Sequence, residues 1–398
     1  MRYTILISLL AVLFFSCERD ISPVQAEKFV KFYGSYLMDE AGEVEVLSNG
    51  GYAICGTINV SGSGRRMALI VTDRYGNMQS GFPRYYTEEG LETGASTMVV
   101  LQGGSGGFLL SGFVERPVLG SQTTQKDIFL VRTSASGEEL WQRSYGSMED
   151  EQILHSIDMI GPGFMLAGSQ LKNGRSHILV MGITEAGDSI KLGLNLPNPN
   201  AKNATANYLL NTGRDYMCVC TFDKASAEGT DILILTFGND LSPLIKNLSG
   251  ELDELGRCIV EEAANRYLVL GNRVNASGNM EMVIYALEKE GLFVTSSELL
   301  ATISEGNADL IGKRMIKTAD GGYAIVGTRA MGNSTNIFLQ FLSSRYTVGD
   351  QVSYGASGVQ AGTDIDVGGD RGIVLLGVNS LGTNSIISLI KTSETGGL

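Results

Sequence analysis

One phrase, an aromatic or branched residue opening a short apolar run, recurs seven times along the chain and closes on glycine in six of them. It reads Gly51-Tyr52-Ala53-Ile54-Cys55-Gly56, Gly107-Phe108-Leu109-Leu110-Ser111-Gly112 and Gly163-Phe164-Met165-Leu166-Ala167-Gly168. It returns as Tyr216-Met217-Cys218-Val219-Cys220, Tyr267-Leu268-Val269-Leu270-Gly271, Tyr323-Ala324-Ile325-Val326-Gly327 and Ile373-Val374-Leu375-Leu376-Gly377. The anchors at 52, 108, 164, 216, 267, 323 and 373 are 56, 56, 52, 51, 56 and 50 residues apart. A repeat of that length excludes an ordinary multidomain reading and demands a stacked or circular array.

Each unit carries four short runs. One precedes the anchor, as in Glu43–Ser48, Ser96–Leu101, Ile153–Met159 and Lys313–Thr318. A third follows it, as in Met67–Thr72, Asp127–Thr133 and His177–Thr184, and a fourth comes after that, as in Glu139–Tyr145 and Ser189–Leu196. They are too short for helices, are rich in β-branched residues and end in Gly or polar turns, so they read as strands. The anchor run is apolar at successive positions (Tyr323, Ala324, Ile325, Val326), which predicts a strand covered on both faces by neighbouring sheets. Four strands per unit predict a propeller blade.

The last unit stops at Leu398 after its third strand, whereas Phe29-Val30-Lys31-Phe32-Tyr33-Gly34 at the front resembles a fourth strand, such as Leu140–Gly146. The expectation is therefore an all-β, seven-bladed β-propeller over residues 28–398, built of four-stranded antiparallel blades and closed by the N-terminal strand pairing into the last blade. Closure removes the open edges that a linear array would expose. Asp320-Gly321-Gly322-Tyr323 with its following run resembles bacterial secreted propeller repeats with a DGGY-x-hydrophobic-x-G core. The resemblance implies a fold and no activity.

The N-terminus carries an address. Arg2 precedes an apolar run from Ile5 to Phe15, too short to cross a bilayer, so residues 1–17 read as a signal peptide. Leu13-Phe14-Phe15-Ser16-Cys17, with Glu18 and Asp20 after it, resembles the relaxed lipobox of Bacteroides-group surface lipoproteins. That resemblance implies acylation of Cys17, a tether over 18–27 and attachment to the outer membrane, facing the cell surface or the periplasm. More than one acyl chain anchors firmly.

The net charge of -13 excludes nucleic acid as a partner, since phosphate neutralisation needs a basic footprint. Two histidines, His155 and His177, leave little for histidine-based metal or triad chemistry, and each reads as structural. Cys55, Cys218, Cys220 and Cys258 read as buried free thiols, with a bridge as the alternative for an exported chain. Acidic residues gather in the connections between units, at Asp39/Glu40, Glu88/Glu89, Glu149/Asp150 and Asp253/Glu254. With Tyr36 and Tyr86 they are the candidate ligand-binding residues of a loop face, and calcium is the one cofactor such carboxylates would take. The bland reading of the same residues is a solvated acidic rim.

No nucleophile elbow, zinc-protease helix or phosphate loop occurs. The expectation is thus a non-catalytic, membrane-anchored lipoprotein whose propeller is a platform for a glycan or protein partner. The alternative is a polysaccharide-active hydrolase or lyase using loop-face carboxylates, and a third reading is a structural partner in an outer-membrane complex. The anchoring expectation is directly testable. In cells fed a labelled fatty acid, the wild-type chain should carry label in the membrane fraction, whereas C17A should be unlabelled and soluble.

Overall fold

The computed structural model describes residues 28–101, 106–192, 203–224, 229–248, 250, 252–355 and 358–398. The signal segment, Cys17 and the tether lie outside the described residues. All regular elements among the described residues are strands. Five four-stranded antiparallel sheets follow in chain order, one per sequence unit, as with Thr93–Val100, Phe108–Pro117, Thr124–Thr133 and Glu139–Tyr145 in unit two. An eight-stranded sheet holds the rest. Its halves are unit six, Asp309–Lys317 to Val348–Tyr354, and unit seven, and they meet at a single parallel bridge between Thr335 and Val359. The architecture is propeller-like.

Unit seven takes its fourth strand from the other end of the chain. Phe29–Tyr33 runs antiparallel to Asn384–Lys391, with Phe29 opposite Lys391 and Tyr33 opposite Ile387. The Tyr33 hydroxyl then donates to the Gly76 carbonyl of unit one (2.6 Å). The first strand of each unit packs against that of the next, and Val359–Val367 of unit seven packs against Glu40–Val46 of unit one. The Val44 amide donates to Asp364 Oδ2 (2.9 Å) and the Val46 amide to Asp366 Oδ2 (2.8 Å) across that contact.

The second strands are buried on both faces, as their apolar runs require. Tyr323 to Gly327 are all buried, and seven apolar clusters lie between or within successive sheets. One such cluster joins Val374, Leu376, Ile387 and Leu389 of unit seven to Ile54, Ile58 and Ile70 of unit one. Burying a large aliphatic side chain contributes about 1.5–3 kcal/mol, so these faces hold the sheets together.

A β-bulge interrupts the first strand of every unit at the same place. The register shifts between Ala41 and Val44, Ala95 and Thr97, Ile153 and His155, Ala206 and Tyr208, Gly256 and Cys258, Gly312 and Arg314, and Gly362 and Asp364. Opposite the bulge stands the glycine that closes the repeat phrase, such as Gly112 opposite Ala95 and Gly168 opposite Ile153. A Cβ at Gly112 would overlap the Gly94 carbonyl, and one at Gly168 the Gln152 carbonyl. Gly112→Ala and Gly168→Ala should each lower stability by about 1–3 kcal/mol, the range for forced overpacking. Gly369→Ala, where a Cβ meets open space, should be near neutral; melting curves of the three variants check this.

Candidate functional site

Bulges re-aim side chains. Here each supplies one residue to a ring at the level of the irregularity: Glu43, Thr97, His155, Tyr208, Cys258, Arg314 and Asp364. Contacts between non-adjacent units show that several of these residues meet across the centre. His155 Nε2 of unit three lies 3.6 Å from Glu43 Oε1 of unit one. The Arg314 guanidinium of unit six lies over the Tyr208 ring of unit four, 4.6 Å from its centroid. His155 and Tyr208 rings face each other at 3.9 Å, and Arg314 Nε lies 3.6 Å from Asp364 Oδ1.

Glu43 is almost fully buried, yet well supplied with donors. Its Oε2 accepts from the Thr97 hydroxyl (2.6 Å) and the Met98 amide (2.7 Å). Burial pushes this carboxyl up, but the His155 ring, the Arg314 charge and the Thr97 hydroxyl outweigh it, and its pKa is lowered. His155 Nδ1 accepts from the Leu209 amide (3.3 Å), so in the neutral ring Nε2 carries the proton and points it at Glu43. Burial lowers the His155 pKa against the pull of Glu43, keeping the ring neutral.

Glu45, two residues along the same strand, behaves oppositely. Burial first, then Glu43, Asp366 and Asp364, push its carboxyl up to about 9. Asp364 is pushed up to about 8 by burial and Glu43, against Arg314. Glu43 ionised and Glu45 protonated is an acid–base pair of carboxylates.

Both line a cavity of about 620 Å³, together with His155, Asp158, Tyr208 and Asn211. Ser48, Asn49, Gly106 and Gly107, from turns between first and second strands, lie at its rim. The sequence reading placed binding on the opposite, long-loop face; the cavity instead opens among the short turns.

The predicted loop-face residues serve mostly as staples. Asp39 is fully buried, and its carboxylate accepts from the amides of Ser35 (2.7 Å), Tyr36 (3.0 Å) and Asn59 (3.0 Å) and from the Ser35 hydroxyl (2.8 Å). Glu40 is exposed, 4.0 Å from Arg65. Asp150 Oδ1 accepts from the Lys126 amide of the preceding unit (2.7 Å), and Glu149 Oε1 accepts from the Asn173 amide (3.0 Å). Asp253 lies 3.8 Å from Lys224, while Glu254 is buried and accepts from the Tyr285 hydroxyl (2.6 Å). Tyr36 is exposed, but Tyr86 is buried and donates to the Gly137 carbonyl (2.7 Å), which removes it as a stacking platform. Among the described residues no three His, Cys, Asp or Glu side chains come together so as to hold a metal ion. The calcium expectation therefore finds no site there.

His155 was read as a structural residue; it is the hub of the central cluster. A signal for the ring was present: Glu43, His155, Cys258, Arg314 and Asp364 each stand nine residues before their anchor. The four cysteines are buried thiols, with Cys218 Sγ 3.6 Å from Cys220 Sγ.

No family model matches the chain, and no curated protein matches it in sequence. Among solved structures, the periplasmic gluconolactonase of Pseudomonas aeruginosa is similar over 77% of this chain and 97% of its own, at 10% identity and a TM-score of 0.41. A puromycin-hydrolyzing peptidase of Mycobacterium tuberculosis is similar over 88% of this chain and 53% of its own, at 10% identity and a TM-score of 0.48. A prolyl endopeptidase structure is similar over 86% of this chain and 46% of its own, at 10% identity and a TM-score of 0.45. The chain thus spans about half the length of the two peptidases.

The expectation of a non-catalytic platform is corrected at this point. It rested on the lack of any grouping of chemistry-bearing side chains in the sequence, and the fold brings Glu43, His155, Tyr208, Arg314 and Asp364 together at its centre.

The raised carboxyls have a consequence for stability. A carboxyl whose pKa is higher folded than unfolded binds protons more tightly in the native state, so its contribution is full below the unfolded value and is lost as pH rises through the folded one. For Glu45 that window runs from 4.5 to about 9. The wild-type melting temperature should fall as pH rises from about 5 to about 8, and E45Q should fall less steeply and melt higher at the upper end.

Proposed function

We propose that residues 28–398 form a closed seven-bladed propeller, attached to the outer membrane through Cys17, whose axial cavity is the active site of a saccharide-active hydrolase. Closure is supported by the pairing of Phe29–Tyr33 with Asn384–Lys391 and by the packing of the first strand of unit seven on that of unit one. The observation that carries the activity is the carboxylate pair: Glu43 and Glu45 stand on one strand and line one cavity, with burial pushing Glu45 up while donors around Glu43 hold it down.

Two residues apart on one strand, Glu43 and Glu45 leave the same face from Cα atoms about 7 Å apart, a placement that suits the two carboxylates of glycoside hydrolysis. Glu45 supplies the proton to the departing glycosidic oxygen. Glu43 stays ionised, held by Thr97, the Met98 amide and His155, and faces the positive charge that develops at the sugar carbon or takes the proton of the attacking water. A cavity of about 620 Å³ with polar groups on its walls suits a sugar-sized ligand.

A panel of oligosaccharides assayed for new reducing ends tests this. The wild-type chain should turn over at least one of them, and E45Q should lower kcat by about 10²- to 10⁴-fold while remaining folded. Absence of turnover across the panel, or an E45Q variant at full rate, would overturn the proposal.

A further inference from the structure

The other half of the central channel has the opposite charge. The bulge positions of units five and six are Arg257 and Lys313, and Arg314 follows at the ring. With Leu154 and Asn207 these three line a second, small cavity of about 60 Å³. Leu154 and Asn207 stand one residue before His155 and Tyr208, so this cavity lies directly behind the central cluster.

Of the three cations, Arg314 alone has a carboxylate near it, Asp364 at 3.6 Å. Arg257 and Lys313 have no carboxylate within 4.0 Å and no hydrogen bond among the described residues, and Arg257 Nε is buried without an acceptor. Lys313 is exposed to solvent, though protein surrounds it on most sides; that partial desolvation, then Arg314 and Arg257, push its ammonium down to about 8. Arg257 is half-buried, and like charges held side by side disfavour one another. A planar guanidinium fork and a lysine point charge around one small cavity are the donor set that recognises an oxyanion.

We infer that this cavity binds one oxyanion group, a carboxylate, phosphate or sulfate, through Arg257, Lys313 and Arg314. The inference stands on the unpaired cations and the cavity, and does not rest on the carboxylate pair across the channel.

The test is a melting experiment on the full-length chain at constant ionic strength, with sulfate, phosphate, glucuronate or, as the uncharged control, glucose. At least one anion should raise the melting temperature by about 2 °C or more, glucose should not, and the shift should fall by more than half in R257Q and K313Q. In anion-free buffer both variants should melt at or above the wild type, since each removes one of three neighbouring like charges. A response to sulfate or phosphate assigns a free-anion site; a response to glucuronate alone assigns the carboxylate of an acidic saccharide. No shift with any anion, or equal shifts in the variants, would overturn the inference. E45Q should keep the anion shift even where turnover is lost, which separates this site from the hydrolase reading.

Discussion

Everything near the centre depends on the extra residue that each first strand inserts opposite its partner. In six of the seven units the second strand meets that bulge with a glycine, and a Cβ at Gly112, Gly168 or Gly327 would overlap a carbonyl of the first strand. The closing glycine of the repeat is thus a steric requirement of the bulge. The bulge, in turn, leaves one residue per unit out of the ladder and re-aims the next one toward its counterparts. Unit four departs, with Cys220 opposite Ala206 where the others have glycine, and nothing in the structure explains the exception.

The scaffold is repetitive and the ring is not. Where the second strands repeat an apolar pattern, the ring holds Glu43, Thr97, His155, Tyr208, Cys258, Arg314 and Asp364. Charge is segregated around it: units seven and one bring Asp364, Asp366, Glu43 and Glu45, and units five and six bring Arg257, Lys313 and Arg314. Burial first, and then the crowding of carboxylates on one side, push Glu45 and Asp364 up, while Glu43, supplied with donors, is lowered. The same segregation leaves the basic side without enough counter-charge of its own.

The strands, their grouping into units and the kinship of Phe29–Tyr33 with a fourth strand were legible because burial on two faces and tight turns impose a pattern on the sequence. The site was not legible in the same way. Its members differ in every unit, so no motif joins them, and Glu43 meets His155 only because two strands more than a hundred residues apart face one centre. A lone strand histidine looks structural until that partner is known. What the sequence did contain was a column of polar and charged residues at a fixed distance before the anchors, visible only once the repeats are aligned on one another.

The acidic pattern between units misled because it is periodic for a structural reason. Asp150 Oδ1 accepts from the Lys126 amide, Asn203 Oδ1 from the Ser176 amide and Asp309 Oδ1 from the Met280 amide, each reaching from the start of one unit to the third strand of the unit before. Asp39 joins the ends of the chain differently: its backbone carbonyl accepts from the Ser385 hydroxyl of unit seven at 2.7 Å, while its carboxylate holds the Ser35 and Tyr36 amides. A short acceptor at that place satisfies an edge amide that the next sheet would otherwise leave unpaired. Carboxylates spent on joining units are not available to a ligand. A repeat protein of this kind therefore separates its two uses of acid: residues that recur at the joints hold the array together, and residues that occur once, at the centre, are the ones free to do chemistry.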